Sequence, residues 1–341
     1  MLPVTDLVAL DIGGANLKAA DGLGWTASIP FPLWKRRREL PQALSEILAR
    51  RPARRIVATM TGEIADCYLT RSAGVADIVA ALEEAAAGCV EPPGVYLVDG
   101  RIVLPAEAVV AWRLAAASNW HALARLAATL VQPGRGLLID VGSTTTDIVP
   151  LLAGRPAPLA QDDASRMLSG ELVYTGVERT AVAAIVRRLP HRAASRPVAS
   201  ELFAESRDAW LVLGELAEDP LATDTADGGP ATRAAARTRL ARMMLLDPAD
   251  FTEADAVEAA LAITRRQSIE VARAARRVAH RMGWRPDTVV LSGHGELLAT
   301  QALAIAGWQP NCVRIAELLA PAIARVAPAH ALALLARGAI P

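Results

Sequence analysis

One short pattern occurs twice in this chain and limits what it can fold into. Asp11-Ile-Gly-Gly-Ala-Asn-Leu-Lys18 lies near the start, and Asp140-Val-Gly-Ser-Thr-Thr-Thr-Asp147 follows with its leading aspartate 129 residues later. Residues 7–12 and 137–141 are short apolar runs that each end in an acid and a glycine, the pattern of a buried strand turning sharply into a second strand. Two such hairpins at domain-scale spacing predict two lobes, each opening in the same way.

Gly13, Gly14 and Gly142 leave room for a ligand to approach the backbone closely. Successive amides in such a turn form an anion-binding concavity. Ala15, Asn16, Ser143, Thr144, Thr145 and Thr146 complete the two candidate phosphate loops with small or hydroxyl-bearing groups. Asp11 and Asp140 suit a hydrated divalent cation beside phosphate oxygens, because magnesium prefers one or two carboxylates plus water. Lys18 in the first copy is replaced by Asp147 in the second, so the copies need not do the same work. All four of these charged residues are candidate catalytic groups. A third segment, Thr288-Val-Val-Leu-Ser-Gly-His-Gly-Glu-Leu-Leu298, reads as strand, glycine turn and helix. Its Gly293, His294 and Gly295 would present free amides and a positive dipole end to an anion.

The 341 residues suffice for two medium lobes, and 52% hydrophobic content supports separate cores. Lys plus Arg and Asp plus Glu balance at 36 each, which gives no global field for nucleic acid or an anionic membrane, so any phosphate binding is local. The three cysteines Cys67, Cys89 and Cys312 show no CxxC or Cys/His spacing, so neither a disulfide framework nor a zinc site is expected, and a cytoplasmic setting fits. Residues 318–337 are rich in Ala and Leu, but Pro321, Arg325, Pro328 and His330 interrupt them, so no membrane span is expected.

The first lobe is expected over 1–131 and the second over 132–341. Gln132-Pro-Gly-Arg-Gly136 marks the boundary. In the first lobe, strands at 7–12, 17–20, 25–29, 56–60 and 95–98 combine with helices at 40–50, 75–87 and 106–130, an α/β arrangement. In the second, strands at 137–141, 147–152, 288–291 and 312–315 frame a helical insertion at about 200–282. Two lobes facing each other across a phosphate site resemble the actin, sugar kinase and heat-shock ATPase superfamily. The implied fold is a two-lobed, actin-like (ribonuclease H-like) α/β structure. That superfamily hosts several chemistries, so the fold alone does not give the reaction.

The segments between the loops are more specific. Phe31-Pro-Leu-Trp-Lys35, Thr59-Met-Thr-Gly-Glu-Ile-Ala-Asp66, Ser118-Asn-Trp-His121, Ser169-Gly-Glu-Leu-Val-Tyr-Thr-Gly176 and Thr225-Ala-Asp-Gly228 resemble the hydantoinase/oxoprolinase-related family linked to tetrahydromethanopterin-dependent one-carbon metabolism. Its archaeal members are ether synthases of methanofuran biosynthesis. The resemblance implies condensation of an (aminomethyl)furanylmethyl diphosphate with a tyramine-type phenol, giving an aryl ether and pyrophosphate; in a methylotrophic bacterium the product would feed methylofuran.

Such a reaction fits the candidate site. Phosphate-loop amides, a divalent cation and Lys18 would neutralise the leaving group. A phenol with an ordinary pKa of about 10 needs a base or a nearby positive charge, and Asp140 or Asp147 is placed to serve. Thr61, Gly62, Glu63 and Asp66 follow a strand of the first lobe and are expected in the cleft as substrate-binding groups, as are Glu171, Tyr174 and Thr175 in the second. His121 reads as a satisfied or interfacial histidine and Cys67 as a small buried residue rather than a nucleophile. Two other functions share these motifs: an ATP-dependent small-molecule kinase or hydantoinase-like ATPase, and a nucleotide-dependent activator. Sequence leaves open whether ATP binds and what the oligomeric state is.

Overall fold

The computed structural model describes residues 5–131 and 134–341. Gln132 and Pro133, from the string expected to mark the lobe boundary, lie outside the described residues. The first sheet is built from β1 (Thr5–Ile12), β2 (Asn16–Ala20), β3 (Thr26–Pro30), β4 (Ala53–Met60), β5 (Gly94–Tyr96) and β6 (Ile102–Val103), in the order β3-β2-β1-β4-β5-β6. The second uses β7 (Arg135–Val141), β8 (Thr146–Leu152), β9 (Arg155–Pro156) and β10 (Leu172–Val173). A separate hairpin of β11 (Arg188–His191) and β12 (Ala194–Pro197) follows, and then β13 (Thr288–Ser292) and β14 (Asn311–Arg314) return to the second sheet. Its order is β10-β8-β7-β13-β14, with β9 paired to β8.

The two sheets share one plan. In each, the opening strand pairs antiparallel with the next, which pairs antiparallel with a third, and on its other side pairs parallel with a later strand that has a further parallel neighbour. This repeated plan gives the two-lobed actin-like fold.

Period-two alternation decides what each face of the opening strand meets. Val8, Leu10 and Ile12 pack with Leu44 and Ile47 of the Leu40–Arg50 helix and with Ile78 and Leu82 of the Arg71–Ala85 helix. Leu7 and Ala9 point the other way, to Ala122 of the Asn119–Thr129 helix and to Leu332 and Ala333 of the Ala327–Ala336 helix. In β7, Leu137, Ile139 and Val141 meet Val271 and Val278 of the Glu253–Met282 helix, whereas Leu138 meets Trp120 and Ala124. The Asn119–Thr129 and Ala327–Ala336 helices therefore form a layer shared by both sheets. Asp11 lies on the Leu7 and Ala9 face and Asp140 on the Leu138 face, so both aspartates are directed toward this layer.

The helix expected over 106–130 is broken into Pro105–Val110, Trp112–Ala115 and Asn119–Thr129. Ala117 between the last two takes a φ of +48°, a left-handed conformation that no helix continues through. The helical region at 200–282 contains Ser206–Leu213, Arg233–Met243 and the 30-residue helix Glu253–Met282. That long helix serves two cores, one with the insertion and one with the second sheet. The C-terminal Ala327–Ala336 helix packs back onto the first sheet, where Arg337 donates to the carbonyl of Asp21.

Candidate active site

Both hairpin turns close in the same way. Gly13 N donates to Asn16 O at 3.0 Å, and Gly142 N donates to Thr145 O at 2.9 Å. Around the first turn, Phe31 N and Leu33 N donate to the carbonyls of Ala15 and Gly14, while Thr61 N and Gly62 N both donate to Ile12 O. Gly62 lies so close to Gly13 that a Cβ would stand 3.3 Å from its backbone. At Gly14 an added Cβ would meet nothing within 4 Å, so the tip of the turn faces open space. The second turn is held more tightly. Val177 N donates to Gly142 O, and Glu178 N and Arg179 N to Ser143 O. Gly293, at φ +82°, approaches until a Cβ would be 2.1 Å from Val141 O, and Gly295 N donates to that same oxygen.

The register of each hairpin brings the charged pairs together. Asp11 stands opposite Lys18 on β2 and Thr59 on β4. Asp140 stands opposite Asp147 on β8 and Ser292 on β13. Asp11 is buried, and burial pushes its carboxyl up while Lys18 and the Asn119 side chain draw it back; its Oδ1 has no hydrogen-bond partner. Asp140 is pushed up to about 6, first by burial and then by the charge of Asp147, against the pull of Ser292, Lys18 and His294. Lys18 from the first lobe thus acts on both aspartates, which places the two hairpins at one centre.

Asp147 is held by Arg166, whose Nη2 donates to Asp147 Oδ1 at 2.7 Å. Arg166 is buried on the short Asp163–Ser169 helix, and its guanidinium lies 3.9 Å from the ring centre of Trp120. The same helix contributes Asp163, 3.1 Å from Arg71 of the first lobe, and Arg71 in turn holds Glu63 at 2.6 Å. A chain of ion pairs therefore runs from Glu63 through Arg71, Asp163 and Arg166 to Asp147, beside Asp140. Elsewhere the lobes meet through Arg179, 5.2 Å over the Trp34 ring.

The glycine turn after β13 joins a second polar group. His294 Nε2 lies 3.0 Å from Glu178 Oε1 and 3.4 Å from Ser143 Oγ, and Arg207 bridges Glu178 to Asp224. Beside it, a slot lined by Val177, Trp210, Leu216, Leu297 and Leu298 has about 20 Å³ of room.

The structure thus gathers Asp11, Lys18, Asp140, Asp147 and Glu63 around one lobe junction. It places both hairpin turns, Thr61, Gly62, Gly293, His294 and Gly295 at its edge. Three other candidates are turned into the second lobe's own frame. Thr146 is buried and donates to Thr175 O; the Thr175 hydroxyl accepts from Gln267; and the buried Glu171 carboxylate accepts from Leu159 N and Ser169 Oγ. Asp66 and Tyr174 are exposed. His121 is buried and shares a 2.8 Å hydrogen bond with Tyr96, which, with its burial, suits the neutral imidazole, its pKa held down to about 4.

Arg71, Asn119, Trp120, Asp163 and Arg166 escaped the sequence reading. Asn119 and Trp120 lie within one of the strings that carried the family resemblance, without an assigned role. Nothing in local spacing marks Arg166, 19 residues from the aspartate it holds.

No group of three or more His, Cys, Asp or Glu suited to a metal ion occurs among the described residues. The buried Asp11 Oδ1, left without a hydrogen-bond partner, is nonetheless a donor of the kind magnesium takes. That ion takes one or two carboxylates and completes its shell with water and substrate phosphates rather than with a protein cage.

Comparison with known proteins bears on the whole chain. The hydantoinase/oxoprolinase family pattern matches residues 54–337. A (4-{4-[2-(gamma-L-glutamylamino)ethyl]phenoxymethyl}furan-2-yl)methanamine synthase from Methanocaldococcus jannaschii is 30% identical over 330 residues, covering 96% of each chain. A synthase of the same name from Methanococcus vannielii is 28% identical over 168 residues, 49% of this chain and 74% of that one. Among solved structures, a ROK hexokinase from Thermus thermophilus superposes with a TM-score of 0.46 at 18% identity, covering 97% of this chain and 99% of that one. Among the described residues, no helix is long and apolar enough to cross a membrane.

Proposed function

This chain belongs to the hydantoinase/oxoprolinase family, and from that premise we propose that it is a transferase that joins a furanylmethyl diphosphate to a tyramine-type phenol. The bond between the furanylmethyl carbon and the diphosphate oxygen breaks, the phenol oxygen bonds to that carbon, and pyrophosphate leaves. The full-length relatedness to a furanyl methanamine synthase whose name contains a phenoxymethyl ether suggests the product class. The observation that carries the reading to this chain's own residues is the convergence of Asp11, Lys18 and Asp140 from two hairpins whose turns face the junction.

Each group then has a task. Gly13 N and Gly142 N close the hairpins, which leaves Gly14 N and Ala15 N of the first turn and Ser143 N and Thr144 N of the second to meet the diphosphate, and Lys18 offsets the negative charge that grows on it as the carbon–oxygen bond lengthens. Magnesium or another divalent cation, held by Asp11 with Asp140 nearby, would supply further charge neutralisation for the leaving group. Asp140, held near 6, is partly to mostly deprotonated at neutral pH and takes the phenol proton. Asp147 is committed to Arg166, and its charge helps to set that of Asp140.

The test is incubation of the purified protein with the diphosphate, a tyramine-type phenol and magnesium in the absence of ATP. The expected result is stoichiometric pyrophosphate and ether. Turnover that requires ATP and yields a phosphorylated acceptor would instead support the kinase reading.

A further inference from the structure

Glu63 is held from two sides. The Arg71–Ala85 helix presses Gly74 against its backbone so closely that a Cβ there would be 2.2 Å from Glu63 O. From the same helix, Arg71 donates Nε at 3.2 Å and Nη2 at 2.6 Å, both to Glu63 Oε1. The other carboxylate oxygen, Oε2, is buried without a partner. A carboxylate oxygen has lone pairs for two donors, and a buried one left bare calls for a ligand group that the protein itself does not supply.

Charge points to the sign of that group. Along the junction, Asp11, Glu63, Asp140, Asp147 and Asp163 stand with Lys18, Arg71 and Arg166, and His294 adds a weaker pull on Asp140. Five carboxylates against three cationic side chains leave a negative excess. A diphosphate alone would deepen it. A primary ammonium supplies both a positive charge and three donors.

We propose that Glu63 Oε2 receives the ammonium of an aminomethyl group on the furan ring of the diphosphate substrate, so that Glu63 selects an amine-bearing furan. This rests on the ether-forming reading above. Arg71 is then a positioning residue: by occupying Oε1 and linking to Asp163 across the junction, it fixes the direction in which Oε2 is offered.

The experiment compares kcat/KM for the aminomethyl-furanylmethyl diphosphate with that for an analogue bearing an ethyl group in place of aminomethyl, in the wild-type protein and in Glu63→Gln. Wild-type protein should prefer the amine by about 100-fold or more, as buried polar sites do when the matching donor is missing. In E63Q that ratio should fall to about 10 or less. A wild-type ratio near one, with both compounds turned over, overturns the Glu63 assignment and leaves ether formation standing. An unchanged high ratio in E63Q does the same. If E63Q is inert toward both, Glu63→Asp takes its place, keeping the charge but shortening its reach: a reduced ratio there supports the assignment and an unchanged high ratio overturns it. Wild-type protein inert toward both diphosphates overturns the ether-forming reading and this assignment with it.

Discussion

Asp140 and Asp147 stand opposite each other on neighbouring strands, yet their surroundings give them different chemistry. Arg166 neutralises Asp147 at 2.7 Å, whereas Asp140 is buried beside that charge and sits near 6. Asp140→Asn should keep the fold and lower kcat by about 100-fold or more, the usual worth of a general base; near-normal turnover would remove this carboxylate from the mechanism. In the wild type, kcat/KM should rise with pH and level off above about 6, because the base works only when deprotonated. Asp147→Asn removes a like charge that raises Asp140, so the acid limb of a pH–rate profile should move to lower pH; movement to higher pH would contradict the coupling. At this scale the sequence carried the two aspartates and Lys18, since each falls at a fixed place in a hairpin pattern. It did not carry Arg166 or Arg71, whose partners lie on other elements and are set by how a short helix and a neighbouring lobe dock.

The hairpins are the elements most legible from sequence. Apolar runs ending in acid and glycine placed β1, β2, β7 and β8 to within two residues, because strand alternation and turn chemistry are local properties. The region 106–130 was less legible. Its composition is helical throughout, and only the left-handed Ala117 divides it, allowing Ser118 to reach Thr59 with a 2.7 Å hydroxyl contact and Asn119 to approach Asp11. Thr146, Glu171 and Thr175 illustrate the same gap: their types suit a ligand, but tertiary packing commits them to one another's strands and to Gln267. The two turns yield a paired test. Gly14→Ala meets open space and should change stability by less than about 0.5 kcal/mol while raising KM for the diphosphate, since the methyl group intrudes on the ligand's side. Gly293→Ala forces a Cβ against Val141 O at positive φ and should destabilise the fold by about 1–3 kcal/mol. Thermal denaturation and steady-state kinetics on both variants check this contrast; equal KM in wild type and Gly14→Ala would remove the first turn from diphosphate binding.

At the scale of the molecule, the two lobes are two copies of one sheet plan sharing a layer of helices, and the charged centre lies where that layer meets both opening strands. The spacing of the hairpin motifs made the duplication readable. The shared layer was not, because whether the Ala327–Ala336 helix packs on the near or the far sheet depends on a chain path that no local pattern encodes. The architecture is compatible with phosphoryl transfer as well as with substitution at carbon, so the central claim concerns which bond to the phenol oxygen is made. The most direct measurement uses a tyramine-type phenol labelled with ¹⁸O in its hydroxyl, incubated with the furanylmethyl diphosphate and the protein without ATP. The account expects the label to be retained entirely in the ether, with none in the released pyrophosphate. Label recovered in an aryl phosphate or in the pyrophosphate would contradict it.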